Sequence, residues 1–330
     1  MRMKSKSLAL RVIKPPRLQT GDTIGIVAPA SPPPDPKAVD RVVGQVERLG
    51  FKVKLGRHAR ARLGFLAGSD SERAGDLMRM FMDGRVNGII CLRGGYGAAR
   101  LFERLDFKAI RQHAKVFCGY SDITSLHCAL LVKAGLISFH SPMLNEGLGR
   151  HGYPEFSVDT FKRTVMNAGA AGSIMRGLSG KRSVELVRRG VAEGRLVGGN
   201  LSVLVTTLGT PYQPEFRGRI LFIEDVGEVP YRLDRLLTHL LNTGLLQQVA
   251  GVAVGVNCDC EDPKARTVGE YRQTAAEVIR ERLAALGVPV VMGLPFGHQP
   301  NNATIPIGVR ARLDAVRGDL VVLESAVGSR

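Results

Sequence analysis

Ser121 follows the apolar run Val116-Phe117-Cys118-Gly119 and Tyr120, and helix-forming sequence begins at Thr124. A short buried strand that runs through Gly-X-Ser into a helix presents a hydroxyl clear of the sheet. The amide of Asp122, next in the chain, then lies at the positive end of the helix, where an oxyanion would develop. That is an arrangement for nucleophilic catalysis. The fifth position is Ile123 rather than the glycine of a full G-x-S-x-G elbow, so the tripeptide alone equally describes a turn or a helix N-cap. A nucleophilic serine also needs a base and a group to orient that base. Two later strand ends carry the right residue types: Phe222-Ile223-Glu224-Asp225 ends in two carboxylates, and Gly297-His298-Gln299-Pro300-Asn301-Asn302 offers a histidine. Considered separately, Asp225 reads as a salt-bridge partner and His298 as a loop histidine.

The other histidines have weaker settings. His127 falls six residues after Ser121 inside the helix expected over Thr124 to Val132, and His140 in Phe139-His140-Ser141-Pro142 reads as packing or loop support. His58, His113, His151 and His239 stand in basic or helical-surface contexts without an acidic orienting pattern. Arg93-Gly94-Gly95-Tyr96-Gly97 follows one element and precedes another, so its glycines allow either a close backbone approach to an anion or a tight turn. Dinucleotide binding fails on two counts: Arg100 stands where Gly95-Tyr96-Gly97-Ala98-Ala99-Arg100 would need a small residue, and the prolines of Ala28-Pro29-Ala30-Ser31-Pro32 remove amide donors. There is no Walker A loop and no His-Glu-X-X-His, and Cys258-Asp259-Cys260 lacks a second ligand pair. Neither a cofactor nor a metal is expected.

These residues must be positioned by regular elements. Thr23 to Ala28 reads as a strand, Val39 to Leu49 as a helix closed by Gly50, and Lys52-Val53-Lys54 as a return strand. Val86 to Leu92 and Lys115 to Cys118 add strands, with helical connections from Ser71 to Met82 and from Ala98 to His113. The grammar is α/β, a parallel sheet covered on both faces, with function at the strands' carboxyl ends. From 147 to 190 the periodicity weakens and Gly, Ser and basic residues accumulate, as in an inter-domain linker. Beyond it come strands at Arg219 to Ile223, Val249 to Val256 and Val288 to Leu294, and helices at Pro230 to Leu241 and Val268 to Leu286. Val309 to Ala315 and Leu320 to Leu323 around Arg317-Gly318-Asp319 read as a β-hairpin, so the second domain is mixed α/β. The expected division is a basic arm at 1–17, an N-terminal domain at 18–146 carrying Ser121, the linker at 147–190, and a C-terminal domain at 191–330.

A chain of 330 residues with 44% hydrophobic composition can bury two substantial cores. No apolar run is long enough for a membrane span, and Arg11 interrupts the apolar part of the N-terminal arm, which therefore does not read as a secretion signal. Five cysteines, an odd set mostly in apolar contexts, suit a reducing cytoplasm. The formal charge of +16 raises nucleic-acid binding, but the basic residues are dispersed and no recognition motif accompanies them. A surface that gathers small anionic substrates is the better reading. The oligomeric state, a homodimer included, stays open.

Taken together, the segments resemble the LD-carboxypeptidase family, serine peptidases of the S66 class. The resemblance runs from Gly21-Asp22-Thr23-Ile24-Gly25-Ile26-Val27-Ala28-Pro29-Ala30 through Phe65-Leu66-Ala67-Gly68-Ser69-Asp70, Arg93-Gly94-Gly95-Tyr96-Gly97 and Gly119-Tyr120-Ser121-Asp122. It continues through Gly198-Gly199-Asn200 and Phe222-Ile223-Glu224-Asp225-Val226-Gly227-Glu228 to Gly293-Leu294-Pro295-Phe296-Gly297-His298. It implies a Rossmann-like N-terminal domain without a cofactor, Ser121 as nucleophile, Glu224 as the orienting acid with Glu228 its rival, and His298 as the base. The backbone amides of Gly94, Gly95 and Asp122 are the candidate oxyanion hole, and Arg93, Tyr96 and Asn200 are candidate substrate-binding residues. The implied reaction is hydrolysis of the bond between an L-diamino acid and a terminal D-alanine in peptidoglycan tetrapeptides recycled in the cytoplasm. Relatives within the resemblance cleave a peptidyl-nucleotide antibiotic instead. The alternative of another class is a two-domain protein that binds a small anionic peptide without cleaving it.

Overall fold

A computed structural model describes residues 10–179, 184–262 and 273–329. The first half runs β1 (Thr23–Val27), α1 (Ala38–Arg48), β2 (Lys52–Leu55), α2 (Asp70–Met82), β3 (Gly88–Cys91), α3 (Phe107–Gln112), β4 (Val116–Gly119), α4 (Thr124–Ala129) and β5 (Ser138–His140). After α5 (Glu155–Val165) come β6 (Gly172–Ser173), β7 (Glu185–Arg188), β8 (Val191–Asn200), α6 (Leu201–Val205), β9 (Ile220–Glu224), α7 (Pro230–Asn242) and β10 (Gly251–Val254). The chain ends with α8 (Ala275–Ala284), β11 (Val290–Met292), β12 (Ile305–Ile307), β13 (Arg310–Asp314) and β14 (Asp319–Val322).

One sheet has the order β12-β5-β4-β3-β1-β2 and is parallel except at β12. Its central strands are buried on both faces, as βαβ crossovers require, with Phe117, Ile89 and Ile24 fully inside. Each such side chain contributes about 1.5–3 kcal/mol by leaving water. α1 turns Ala38, Val39, Val42 and Val46 inward at helical spacing. Ser69 and Glu72 close a capping box at the start of α2.

The second sheet, β6-β14-β13-β8-β9-β10-β11-β7, has a parallel centre from β8 to β11 and antiparallel flanks, including the expected hairpin of β13 and β14. The mixed α/β reading of this half is borne out.

Local differences have physical reasons. The stretch 147–190 holds α5, β6 and β7 rather than a bare crossing, because Phe156, Phe161 and Val165 give α5 a buried face that a Gly-rich neighbourhood conceals. The helix expected over Ala98 to His113 breaks into a 3-10 turn at Ala98–Arg104 and α3, since Asp106 accepts the Ala109 amide as an N-cap and starts a new helix. The helix expected from Val268 begins at Ala275, capped by Thr274. The expected stretch from Val268 to 272 lies outside the described residues. Residues 1–9 of the basic arm also lie outside them, whereas Ile13 and Pro16 bridge to Leu136 and Gly328. Among the described residues no helix is long and apolar enough to cross a membrane.

The two sheets meet at their carboxyl ends. β3, β4 and β5 deliver Arg93–Gly97, Tyr120–Asp122 and His140 to one edge, while β8, β9 and β11 lead to Asn200, Glu224 and His298. β12, from the C-terminal half, joins the first sheet by pairing with β5, so the chain crosses between sheets just after His298.

Candidate active site

Ser121 has φ +61°. The left-handed region costs a non-glycine residue about 1–2 kcal/mol, so the surroundings must hold it there. They do so from four directions. Gly119, at the end of β4, accepts from His127 Nε2 at 2.9 Å, and Ser138 donates to His127 Nδ1 at 2.8 Å. Ser125 Oγ donates to the Asp122 carbonyl at 2.8 Å. The Asp122 carboxylate accepts the Ala98 amide at 2.8 Å and so ties the nucleophile turn to the glycine-rich loop. Burial pushes this carboxyl up to about 6, against the Ala98 hydrogen bond and the charge of Arg73. His127 is thus a buried brace rather than a catalytic base, as its place in α4 suggested.

The glycine-rich loop packs on the serine itself. A Cβ at Gly94 would lie 2.9 Å from Ser121 Cβ, 3.1 Å from its Oγ and 3.3 Å from the Asp122 amide nitrogen. Only hydrogen leaves room there. Gly95, at φ +97°, would drive a Cβ to 2.5 Å from Ser31 Oγ. Ser31 instead holds the loop, donating its amide to the Gly94 carbonyl at 3.0 Å and accepting the Tyr96 amide at 3.1 Å. Beneath it the buried Arg73 guanidinium bonds to the carbonyls of Pro29, Gly68 and Gly97 and to Asp70. Neither Ser31 nor Arg73 stood out in the sequence, because an isolated serine and a helical arginine carry no motif.

His298 Nδ1 lies 2.7 Å from Oε2 of Glu224, a carboxylate with 0% exposure. A carboxylate accepts, so the ring proton sits on Nδ1 and Nε2 keeps its lone pair. Gly297 makes the approach feasible, since a Cβ there would stand 2.9 Å from Glu224 Oε2. Burial pulls the imidazole down, but the hydrogen bond and charge of Glu224 outweigh it and leave His298 above its usual value. Glu228, the rival acid, pairs with Arg232 at 3.8 Å instead. Asp225 accepts from Asn200 Nδ2 at 3.0 Å and the Ser202 amide at 2.8 Å, and burial first of all raises it to about 6.

Asn200 is only 2% exposed. Its side chain caps α6 through the Val203 amide, besides holding Asp225, and its backbone amide donates to Thr124 Oγ1 at 3.0 Å. That last bond joins the second sheet to the helix that follows Ser121. Arg93 reaches Glu146 at 3.4 Å and the Pro32 carbonyl at 3.3 Å, which braces the loop. Tyr96 is 56% exposed beside Phe65, with ring centroids 5.6 Å apart.

Tyr120 joins the two sides. Its ring lies 4.7 Å from the His298 imidazole and 5.8 Å from His140. His140 is fully buried against Phe222 and Phe296, without a hydrogen-bond partner among the described residues, and burial holds it neutral. A cavity of about 510 Å³ opens from Tyr120 and His298 past Glu146, Arg150 and Tyr153. No group of three or more His, Cys, Asp and Glu among the described residues could hold a metal ion. Chemically, the arrangement offers a strained hydroxyl beside backbone amides and a histidine polarised by a buried acid.

Residues 24–141 match the LD-carboxypeptidase N-terminal domain and residues 193–313 the LD-carboxypeptidase C-terminal domain. A Bacillus subtilis protein named "Probable murein peptide carboxypeptidase" is 40% identical over 311 residues, which cover 94% of each chain. This chain belongs to the LD-carboxypeptidase family. Membership makes it a serine-type hydrolase. Among solved structures, the muramoyltetrapeptide carboxypeptidase from Oxalobacter formigenes is 31% identical, with a TM-score of 0.78 over 92% of this chain and 99% of that one. The microcin C7 self immunity protein MccF is 25% identical, with a TM-score of 0.83 over 96% of this chain and 100% of that one. The two-sheet architecture of this LD-carboxypeptidase is therefore that of the solved relatives.

Proposed function

We propose that the protein hydrolyses the bond between an L-diamino acid and a terminal D-alanine in peptidoglycan-derived tetrapeptides, using Ser121, His298 and Glu224. The observation that carries the reading is the buried Glu224–His298 pair held against Tyr120, one residue from a serine at φ +61°. His298 Nε2 takes the Ser121 proton as Oγ attacks the scissile carbonyl, and then gives it to the departing D-alanine amine. Water, activated by the same imidazole, hydrolyses the acyl-enzyme. Glu224 fixes the Nδ1–H tautomer and stabilises the imidazolium. The amides of Asp122 and of the Gly94-Gly95 turn face the developing oxyanion. The triad draws on both halves of the chain, so the Asn200–Thr124 contact helps set catalytic geometry.

The 40% identity to a murein peptide carboxypeptidase supports the peptidoglycan substrate. The closeness of fold to a microcin self-immunity protein supports a second reading, cleavage of a peptidyl-nucleotide. We place the reaction in cytoplasmic recycling of cell-wall peptides, with no nucleic acid as partner. The test uses L-Ala-γ-D-Glu-diamino acid-D-Ala beside the same peptide ending in L-alanine. A rigid nucleophile and oxyanion hole accept one direction of attack, so only the D-terminal peptide is cleaved. Equal cleavage of both, or cleavage of a peptidyl-nucleotide alone, overturns the reading.

A further inference from the structure

The cavity beside His298 continues into a second one. Arg150 and His151 line both, and the second, about 480 Å³, runs along the outer face of α1 past Arg41, Gln45 and Arg48. The trough is longer than the cleavage chemistry needs. The acyl side of a tetrapeptide is three residues, about 10 Å when extended, so it must leave the site along some path. Its charges are distinctive: a γ-linked D-glutamate keeps its α-carboxylate free, and the diamino acid carries a distal ammonium.

Leaving the scissile bond, the ammonium comes first and the carboxylate second, and the trough presents the complementary groups in that order. Glu146 stands in the inner cavity, 3.4 Å from Arg93 but with its side chain half exposed and so open to a second cation, and close enough to His298 to act on its charge. Further out, Arg41 is paired with Asp35 at 2.6 Å, and Asp40, the acid in the outer cavity, is taken by Arg60. Arg48 and Arg150 make no ion pair among the described residues. Two uncommitted guanidiniums in a concave site are the donors suited to a bidentate carboxylate contact.

We propose that this outer trough is a subsite for the substrate's second carboxylate, read by Arg150 and Arg48, with Glu146 facing the distal ammonium of the diamino acid. The assignment rests on the peptidase reading above. It makes the enzyme a selector of free γ-D-glutamyl peptides over their α-carboxamide (isoglutamine) counterparts, which keep the shape and lose the charge.

The experiment compares kcat/KM for D-alanine release from the γ-D-glutamyl tetrapeptide and from its isoglutaminyl analogue. An exposed, charge-assisted contact is worth about a fivefold preference for the acid. In Arg150→Ala and Arg48→Ala the acid-to-amide ratio falls towards one, and Arg150→Lys restores part of it. Both arginines are exposed, and circular dichroism confirms that each variant folds. A wild-type ratio of one, or a ratio unchanged in both alanine variants, overturns the subsite while the peptidase reading stands. Release of D-alanine from neither peptide by the wild type overturns both.

Discussion

His298 Nδ1 and Glu224 Oε2 are 2.7 Å apart, although 74 residues separate them in the chain. Burial lowers the imidazole and the carboxylate more than reverses this, so His298 titrates above 6.5. A base must be neutral to accept the serine proton, so the acid limb of kcat/KM lies above the ordinary histidine value. Glu224→Gln removes the charge, moves that limb to lower pH and lowers kcat on the order of ten-thousandfold. Linkage gives the matching stability effect. A histidine raised on folding stabilises fully below about 6.5, and this is lost as pH rises through the folded value. Melting curves against pH read the second effect, and pH–rate profiles of the two proteins read the first. An unmoved acid limb in Glu224→Gln removes Glu224 from the mechanism.

Ser121→Ala leaves the fold intact and lowers kcat by up to roughly a million-fold, since a methyl group cannot attack. The alanine keeps the left-handed strain at φ +61°. Ser121→Gly relieves that strain, partly offset by the freedom glycine gains when unfolded. The glycine variant is therefore equally inactive and more stable than the alanine variant by up to about 1 kcal/mol. Differential scanning calorimetry of the pair tests the claim. An alanine variant that melts above the glycine variant contradicts the strained backbone.

The sequence showed most of the elements and the edge at which function gathers. Periodicity identifies α1 and α7, and the strand ends at Ser121 and Glu224 follow from apolar runs that stop at polar residues. What stayed hidden depends on distance in three dimensions. Nothing local marks Ile305–Ile307 as a strand that returns to the first sheet, because three residues carry no usable period. Asn200 sits in a Gly-Gly-Asn motif that suits ligand binding, yet Gly198 serves a close approach to the Phe222 backbone, Gly199 one to Thr124, and the asparagine caps a helix. Arg150 and Arg48 look like two more of the 46 basic residues until folding places them along one trough.

Asn200→Ala acts through stability rather than substrate affinity. It removes the cap of α6 and leaves the buried Asp225 carboxylate without one of its donors, a cost of about 1–3 kcal/mol. The melting temperature falls and KM for the tetrapeptide holds. A tenfold rise in KM without a loss of stability would return Asn200 to the substrate-binding set.

Gly94→Ala tests the contact between the loop and the nucleophile. The added methyl would stand 2.9 Å from Ser121 Cβ, 3.1 Å from Oγ and 3.3 Å from the Asp122 amide, and the first of these is closer than a methyl carbon tolerates. One side must yield. The loop is fastened by Ser31 and, through Gly97, by Arg73, while the serine turn is fastened by Asp122 to Ala98. Both anchors hold, so relief comes from a few tenths of an ångström of displacement at the hydroxyl and the candidate oxyanion amide. Misplacement of reacting groups on that scale costs about a hundredfold in rate. The loss falls on kcat, with KM little changed, because the added methyl touches the nucleophile and not the trough that holds the peptide. Stability falls by no more than about 1–3 kcal/mol, the usual range for overpacking. Steady-state kinetics beside a melting curve separates the outcomes. Wild-type kcat in a folded Gly94→Ala protein would show that the serine does not depend on this loop for its position.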